Sequence, residues 1–447
     1  MTAVTEKGRL LSDAERLDPA HTALVLIDIQ NDFCHPEGCF GLLGNDLGMM
    51  PELARRSRGL LDAARRRGML VLFVRATYDG EVLSGPLAET YHRRQFTDSQ
   101  CLEGSVGADW YGDLRPDPAA ANEVVVTKHR FSAFRGSDID LYLRSNGIRT
   151  VVFAGVVTSG CVESTLRDAF FSDYYVAVAS DCVAEASEDR HRASLAKIEQ
   201  AFGVVRSAAD IAGIWDAARS VRPDCSALAK QARMLGELRQ RLDPAHTALV
   251  LIDLQQDFCG PDGVMARSGE DLAPISAALQ QAARVLDAAR KAGMQVIHVR
   301  AEYGEADASD VSLFASRGVS GTACCRPGTP GADFLPAFTP RPDEWVVTKH
   351  RFSAFVDTRL ELLLRSNGIR SLLVAGVATQ CCVESTVRDA SMRDYYVVVA
   401  REACAARGRM MHLHEASMET MSLYFADCRP VADILATLPA RTAAVSP

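Results

Sequence analysis

The sequence predicts an α/β protein made of two similar domains, each a parallel sheet flanked by helices. Two observations carry this. The chain repeats itself: RLDPAHTALVLIDIQNDFC begins at Arg16 and RLDPAHTALVLIDLQQDFC at Arg241, 225 residues on, while VVTKHRFSAF recurs around Lys128 and Lys349, 221 residues apart. Within each copy, short apolar runs rich in Val, Leu and Ile alternate with amphipathic stretches, as strands covered on both faces alternate with helices. A repeat of about 220 residues can bury its own core, so this is a duplicated globular domain and not a solenoid.

Taken in order, TALVLIDI is the first strand and ends on Asp28. PELARRSRGLLDAARRRG follows as a helix that closes on Gly68, a normal C-cap residue. MLVLFVRA, EVVVTK, TVVFAGV and YVAVAS supply further strands. Strand, helix, strand units with right-handed crossovers give a parallel, doubly wound sheet. The first domain is assigned to residues 16–217, a linker to 218–240 and the second domain to 241–440. Pro223-Asp224 marks the break, and Leu228, Met234, Leu235 and Leu238 predict a helical second half of the linker.

Composition bounds the function. The 447 residues are 48% hydrophobic and 24% charged, values of a globular chain, and no apolar run approaches a membrane span. A net charge of -8 without a basic block argues against a nucleic-acid partner. Thirteen cysteines, an odd number that includes the adjacent pairs Cys324-Cys325 and Cys381-Cys382, predict free thiols in a reducing compartment. The opening MTAVTEKGRLLSDAE lacks the apolar stretch of a signal peptide, so the expected address is the cytoplasm.

Ligands of doubly wound sheets bind at the carboxyl ends of the strands. That rule selects Asp28 at the end of the first strand, Lys128 at the end of the third, and Cys161 after TVVFAGV. Val162, Thr165, Leu166, Ala169 and Phe170 form one inward helical stripe that leaves Cys161 in the first turn. A helix N-terminus and a nearby ammonium both depress a thiol pKa. Asp28 could accept the thiol proton and return it to a departing amine, while backbone N–H groups around Val157 and Cys161 hold an oxyanion. The second copy offers Asp253, Lys349 and Cys382, with Ala378 in the place of Val157. Singly, each residue has an ordinary structural reading: a turn cap, a solvated strand-end charge, a small buried apolar group.

The three ordered motifs, LIDIQNDF, VTKHRFSAF and GVVTSGCVESTLRDAFF, make the chain resemble the isochorismatase-like cysteine hydrolases over nearly all of both copies. CVESTLRDAFF is most similar to the ureidoacrylate, biuret and N-carbamoylsarcosine amidohydrolase branch. The resemblance implies a Rossmann-like six-stranded parallel sheet per domain, an Asp-Lys-Cys triad, an acyl-enzyme hydrolysed by water, and cis peptides at Val156-Val157 and Val377-Ala378. It implies amide chemistry, since isochorismatases that cleave a vinyl ether lack the cysteine. The substrate class is a small amide, ureide or carbamoyl compound, and the alternatives are one active and one structural domain or a larger natural-product amide. It also implies oligomers, which here could be a pseudo-dimer within one chain, with further homo-oligomers open.

Related nicotinamidases hold a metal through an Asp and histidines after the second strand, where this chain reads RATYDGEV and RAEYGEAD. No metal and no cofactor is expected, and His129 and His350 are read as structural. Register aligns Cys161 with Cys382, leaving Cys381 a bystander. Gln30, Gln255, Phe33 and Phe258 are candidate substrate contacts, with Phe131 and Phe352 as further pocket walls. Arg167 and Arg388 are read as internal ion-pair partners. Residues 79–122 and 304–343 differ most between copies and precede the lysine strand, where a lid would sit. Arg93, Arg94, Arg317 and Arg326 within them are candidate carboxylate contacts.

Overall fold

The computed structural model describes residues 10–93 (the backbone alone for 90–93), 100–220, 234–304, 306 and 324–438. The chain divides into two compact units, Met1–Arg233 and Met234–Pro447. Of the expected linker helix, Leu238 begins a short helical turn, Leu238–Arg241; Pro223-Asp224 and Leu228 lie outside the described residues.

The first unit is one six-stranded sheet in which every pairing is parallel. Its strands are β1 (Thr22–Ile27), β2 (Leu70–Ala76), β3 (Glu123–Lys128), β4 (Thr150–Val156), β5 (Tyr175–Ala184) and β6 (Val204–Arg206), in spatial order β3-β2-β1-β4-β5-β6. The second unit repeats it with β7 (Thr247–Ile252), β8 (Gln295–Ala301), β9 (Trp345–Lys349), β10 (Ser371–Val377), β11 (Tyr396–Ala405) and β12 (Asp427–Arg429), in order β12-β11-β10-β7-β8-β9. The strand order reverses between β1 and β4, and a doubly wound sheet opens its crevice at that point.

Central β1 is buried at every position, which explains its uninterrupted apolar run. Alternate residues feed two layers. Leu24 and Leu26 join a core with α1 (Met50–Arg66), and Ala23, Val25 and Ile27 join the opposite core with α2 (Ile139–Ser145) and α3 (Glu163–Phe171). The helix α1 buries Met50, Leu53, Leu60, Leu61 and Ala64 on one stripe, and the chain turns after it through Gly68 at φ 60. Helices α4 (Glu188–Ala201) and α5 (Ala208–Ala217) complete the first unit. In the second, α6 (Ala273–Ala292), α7 (Leu360–Ser366), α8 (Glu384–Ser391), α9 (Met411–Tyr424) and α10 (Val431–Thr437) take the same places. No helix among the described residues is long and apolar enough to cross a membrane.

Two sequence expectations need correction. Phe170 is 40% exposed and leaves the inward stripe of α3, whose buried residues are Glu163, Thr165, Leu166 and Ala169. Cys161 stands not in an α-helical first turn but in a π-helical turn, Thr158–Val162, that runs into α3. The second unit has the same turn at Thr379–Val383.

Gly155 has a positional requirement. It adopts φ 123 where β4 shifts register against β5, and a Cβ there would lie 2.0 Å from the carbonyl oxygen of Ile27 on β1. Gly155→Ala therefore has to part the two central strands. We expect it to destabilise the first unit by about 3 kcal/mol or more, combining steric overlap with a disfavoured φ. Hydrogen exchange checks this: amides of β1 and β4 lose protection in the variant, while those of β7 and β10 keep theirs.

Candidate active site

The three strand ends meet. Lys128, the last residue of β3, has its Nζ 2.8 Å from Asp28 Oδ2 and 3.4 Å from Cys161 Sγ, and it donates to the Arg130 carbonyl at 3.1 Å. In the second unit Lys349 Nζ stands 2.8 Å from Asp253 Oδ2, 3.3 Å from Cys382 Sγ and 3.2 Å from the Arg351 carbonyl. Lys128 and Lys349 are 0% exposed, Asp28 and Asp253 1%. Each aspartate sits one residue beyond its strand in left-handed backbone, φ 53 and 57, a conformation that aspartate tolerates better than most side chains. Its amide still donates to the neighbouring strand, Asp28 to Val74 and Asp253 to Val299, both at 2.9 Å.

Electrostatics here follow from burial. The Cys161 thiol is pushed up to about 12 by burial, against the pull of Lys128 and with Asp28 adding to the push. Cys382 shifts in the same direction for the same leading reason. This reverses the depressed thiol expected from the sequence, because loss of water outweighs the single ammonium. Burial also raises Asp28 and Asp253, opposed by their lysines. For Lys128 and Lys349, burial alone would lower the pKa, but the neighbouring Asp and Cys outweigh it and hold each ammonium charged. At rest an ammonium stands beside a protonated thiol in each unit.

The peptides Val156-Val157 and Val377-Ala378 are cis. The turn after each is tied down by groups that sequence motifs did not single out. Thr158 Oγ1 lies 2.9 Å from His191 Nδ1 on α4, and Thr379 Oγ1 lies 2.8 Å from His414 Nδ1 on α9. Ser159 N donates to Glu185 at 3.0 Å. Thr165 Oγ1 donates to the Cys161 carbonyl at 2.7 Å and accepts from Ala133 N at 3.1 Å, joining the turn to the loop after Lys128. Thr386 does the same for Cys382 and Ala354. The Thr and His of these contacts recur in both copies, and that recurrence is the sequence signal that could have found them, whereas Ser159 and Glu185 are replaced by Gln380 and Ala406. Tyr78 and Tyr303 were also missed; after the second strand of their units Tyr78 is buried and Tyr303 half-buried, and the Tyr303 phenol feels the charges of Lys349, Cys382 and Asp253.

Of the other candidates, Gln30, Gln255 and Phe33 are placed differently from expectation, while His129, His350, Arg167 and Arg388 take the structural roles read from the sequence. Gln30 does not offer its amide to a substrate: it is 0% exposed, donates to the Ala76 and Ala108 carbonyls at 3.0 and 2.9 Å, and accepts from Ala76 N at 2.8 Å. Gln255 is committed in the same way to Ala301 and Ala332. Both act as struts between strand and loop. Phe33 is 5% exposed, packed edge-on to Phe40 with centroids 5.1 Å apart, and belongs to the core. Phe258 is partly buried against two clusters of the second unit, Phe131 packs on both layers of the first, and Phe352 is exposed. His129 and His350 direct Nδ1 at the Thr77 and Glu302 carbonyls, 2.9 and 2.8 Å away. Arg167 and Arg388 pair with Glu163 and Glu384 at 2.6 and 2.5 Å. Arg94, Arg317 and the side chain of Arg93 lie outside the described residues, and Arg326 is half-buried beside Cys325.

The isochorismatase domain matches residues 22–210 and again 247–433. The chain belongs to this isochorismatase-like hydrolase family, in tandem duplicate. It is similar to the ureidoacrylate amidohydrolase RutB of Caulobacter segnis, 32% identical over 212 residues that cover 44% of this chain and 87% of that one. The Caulobacter vibrioides protein of the same name is 33% identical over 212 residues, covering 44% and 93%. Among solved structures, N-carbamoylsarcosine amidase from Thermoplasma acidophilum matches with 26% identity and a TM-score of 0.35, covering 42% of this chain and 96% of its own.

A thiol raised by burial titrates late. Alkylation of Cys161 by iodoacetamide, followed by peptide mass spectrometry, is expected to keep rising through pH 10. Lys128→Met, which removes the charge that favours the thiolate, should slow it further at every pH. A plateau in the rate below pH 8 contradicts the assignment.

Proposed function

We propose that each unit is a cysteine amidohydrolase acting on a small amide, ureide or carbamoyl compound, with Cys161 or Cys382 as nucleophile. The observation that carries the reading is that both units hold one ammonium between a carboxylate and a thiol, with Lys–Asp and Lys–Cys separations that agree within 0.1 Å. Relatives named ureidoacrylate amidohydrolase support the amide bond as target.

The resting protonation pattern sets the order of events. Asp28, whose proton affinity burial has raised, takes the Cys161 proton as Sγ bonds to the carbonyl carbon. Charge on the carbonyl oxygen is held by backbone N–H groups at Val157 and Cys161, and by Ala378 and Cys382 in the second unit. Asp28 then returns the proton to the departing nitrogen as the C–N bond breaks, leaving a thioester. Water attacks that carbon, gives its proton to Asp28, and the proton goes back to sulfur as the acid leaves. Lys128 stays charged throughout, and its charge opposes the rise that burial imposes on Asp28. Asp253, Lys349 and Cys382 take the same roles.

Two tests follow. Ammonia release from a panel of ureides, carbamoyl amino acids and simple amides is expected to fall by about 10^3-fold or more in the Cys161→Ala/Cys382→Ala double variant. Each single variant should keep the substrates of the other unit; full turnover by the double variant refutes the reading, and a single variant as inactive as the double one leaves one working unit. The second test is the acid limb of kcat/KM. Protonated Asp28 cannot accept the thiol proton, so activity is lost as pH falls through its raised pKa. That limb should lie above the ordinary carboxylate value near 3.8, and Asp28→Asn should cost about 10^2- to 10^4-fold in the first unit.

A further inference from the structure

In the second unit a carboxylate oxygen of Asp257 and the sulfurs of Cys324 and Cys325 lie within 4.8 Å of one another, and all three residues are buried. Neighbouring side chains on extended backbone leave on opposite faces. Here Cys325 adopts φ 49, and the two sulfurs stand 3.9 Å apart. A tetrahedral ion with metal–sulfur bonds of about 2.3 Å sets its sulfurs about 3.8 Å apart. The dithiol is therefore already spaced for one ion. Asp257 is fixed beside it, accepting from Cys325 N at 2.7 Å and Val264 N at 3.1 Å, and each of its oxygens retains a further lone pair.

The first unit shows what Cys324 adds. Asp32 accepts from Cys101 N at 2.6 Å and Cys39 N at 3.1 Å, and Cys101 has φ 47, so the loop anchor and the left-handed turn are common to both units. Gln100 stands where the second unit has Cys324. Among the described residues, the Asp257 group alone gathers three such ligand atoms.

We propose that Asp257, Cys324 and Cys325 bind a thiophilic divalent cation of the zinc class, at a site distinct from the Cys382 centre. Two sulfurs select zinc or cadmium over magnesium or calcium, which require oxygen shells. Binding exchanges two S–H bonds for two metal–sulfur bonds and releases two protons to solvent, leaving the fourth position to water. Tyr303 packs against the apolar cluster that contains Cys324 and Cys325, donates its amide to the Cys325 carbonyl at 3.0 Å, and feels the charges of the second centre. The site does not depend on that centre being a hydrolase.

The test is titration of the reduced full chain with Cd2+, read by the thiolate-to-metal absorption band in the ultraviolet and by proton release. The chain, Cys324→Gln and the Cys161→Ala/Cys382→Ala double variant are compared. Cys324→Gln installs the residue that the first unit holds at this place, and circular dichroism checks its fold. The expected result is one equivalent bound with two protons released, displaced by Zn2+, weakened about 10^2-fold or more by Cys324→Gln and unchanged in the double variant. A chain that develops no band overturns the proposal. So does a band that survives Cys324→Gln, or one that disappears with Cys161 and Cys382.

Discussion

A lysine and an aspartate with almost no access to water, 2.8 Å apart at the ends of two parallel strands, are the constraint on which each unit is organised. Taking two charges out of water costs several kcal/mol per ion, and their mutual attraction offsets this only when geometry is good and other polar atoms help. The Arg130 and Arg351 carbonyls help by accepting from the ammonium. The sheet helps more, because Asp28 and Lys128 are placed by β1 and β3, both paired to β2, and cannot drift apart without breaking that ladder. Replacing a buried ion pair by packed apolar residues is often neutral or stabilising, so the presence of this pair in both units is weak evidence that it serves stability.

The parts of the fold most legible in the sequence were the strands whose burial is complete. TALVLI and TVVFAGV were read as strands and are buried at every position; EVVVTK was read as a strand and is one although only Val126 and Lys128 in it are buried, and the α1 stripe and its Gly68 turn follow from helical spacing. The edge strands β6 and β12 were not read from periodicity, being three residues each and partly exposed. The Asp, Lys and Cys positions were legible because a topological rule names the strand ends and a repeat names them twice. What surrounds them was not. Nothing local announces that Gln30 spends its amide on Ala76 and Ala108, or that Thr158 reaches His191 on another helix. Those contacts exist only once loops from distant parts of the chain have closed over the strand ends.

The thiol is the clearest case of a quantity that sequence reasoning sets with the wrong sign. A helix start and an ammonium both favour thiolate, and both are present, yet burial is the larger effect. Sequence shows which charges stand near a sulfur but not how much water does. In the proposed reaction a protonated thiol requires Asp28 to accept its proton before attack; burial raises the proton affinity of both groups, and Lys128 opposes that rise at each.

Duplication leaves this core fixed and frees the loops. Asp32 and Asp257 anchor corresponding loops through backbone amides, and Gln30 and Gln255 brace corresponding strand ends. On those shared anchors the units diverge: Gln100 against Cys324, Cys39 against Val264, Arg135 paired with Asp168 against Val356 at the matching point. Each change lies outside the triad yet on a loop that the triad's own scaffold positions. A second copy can therefore acquire a new ligand set or a new specificity without moving Lys349 relative to Asp253 and Cys382, because the buried ion pair and the strand ladder, not the loops, fix those distances.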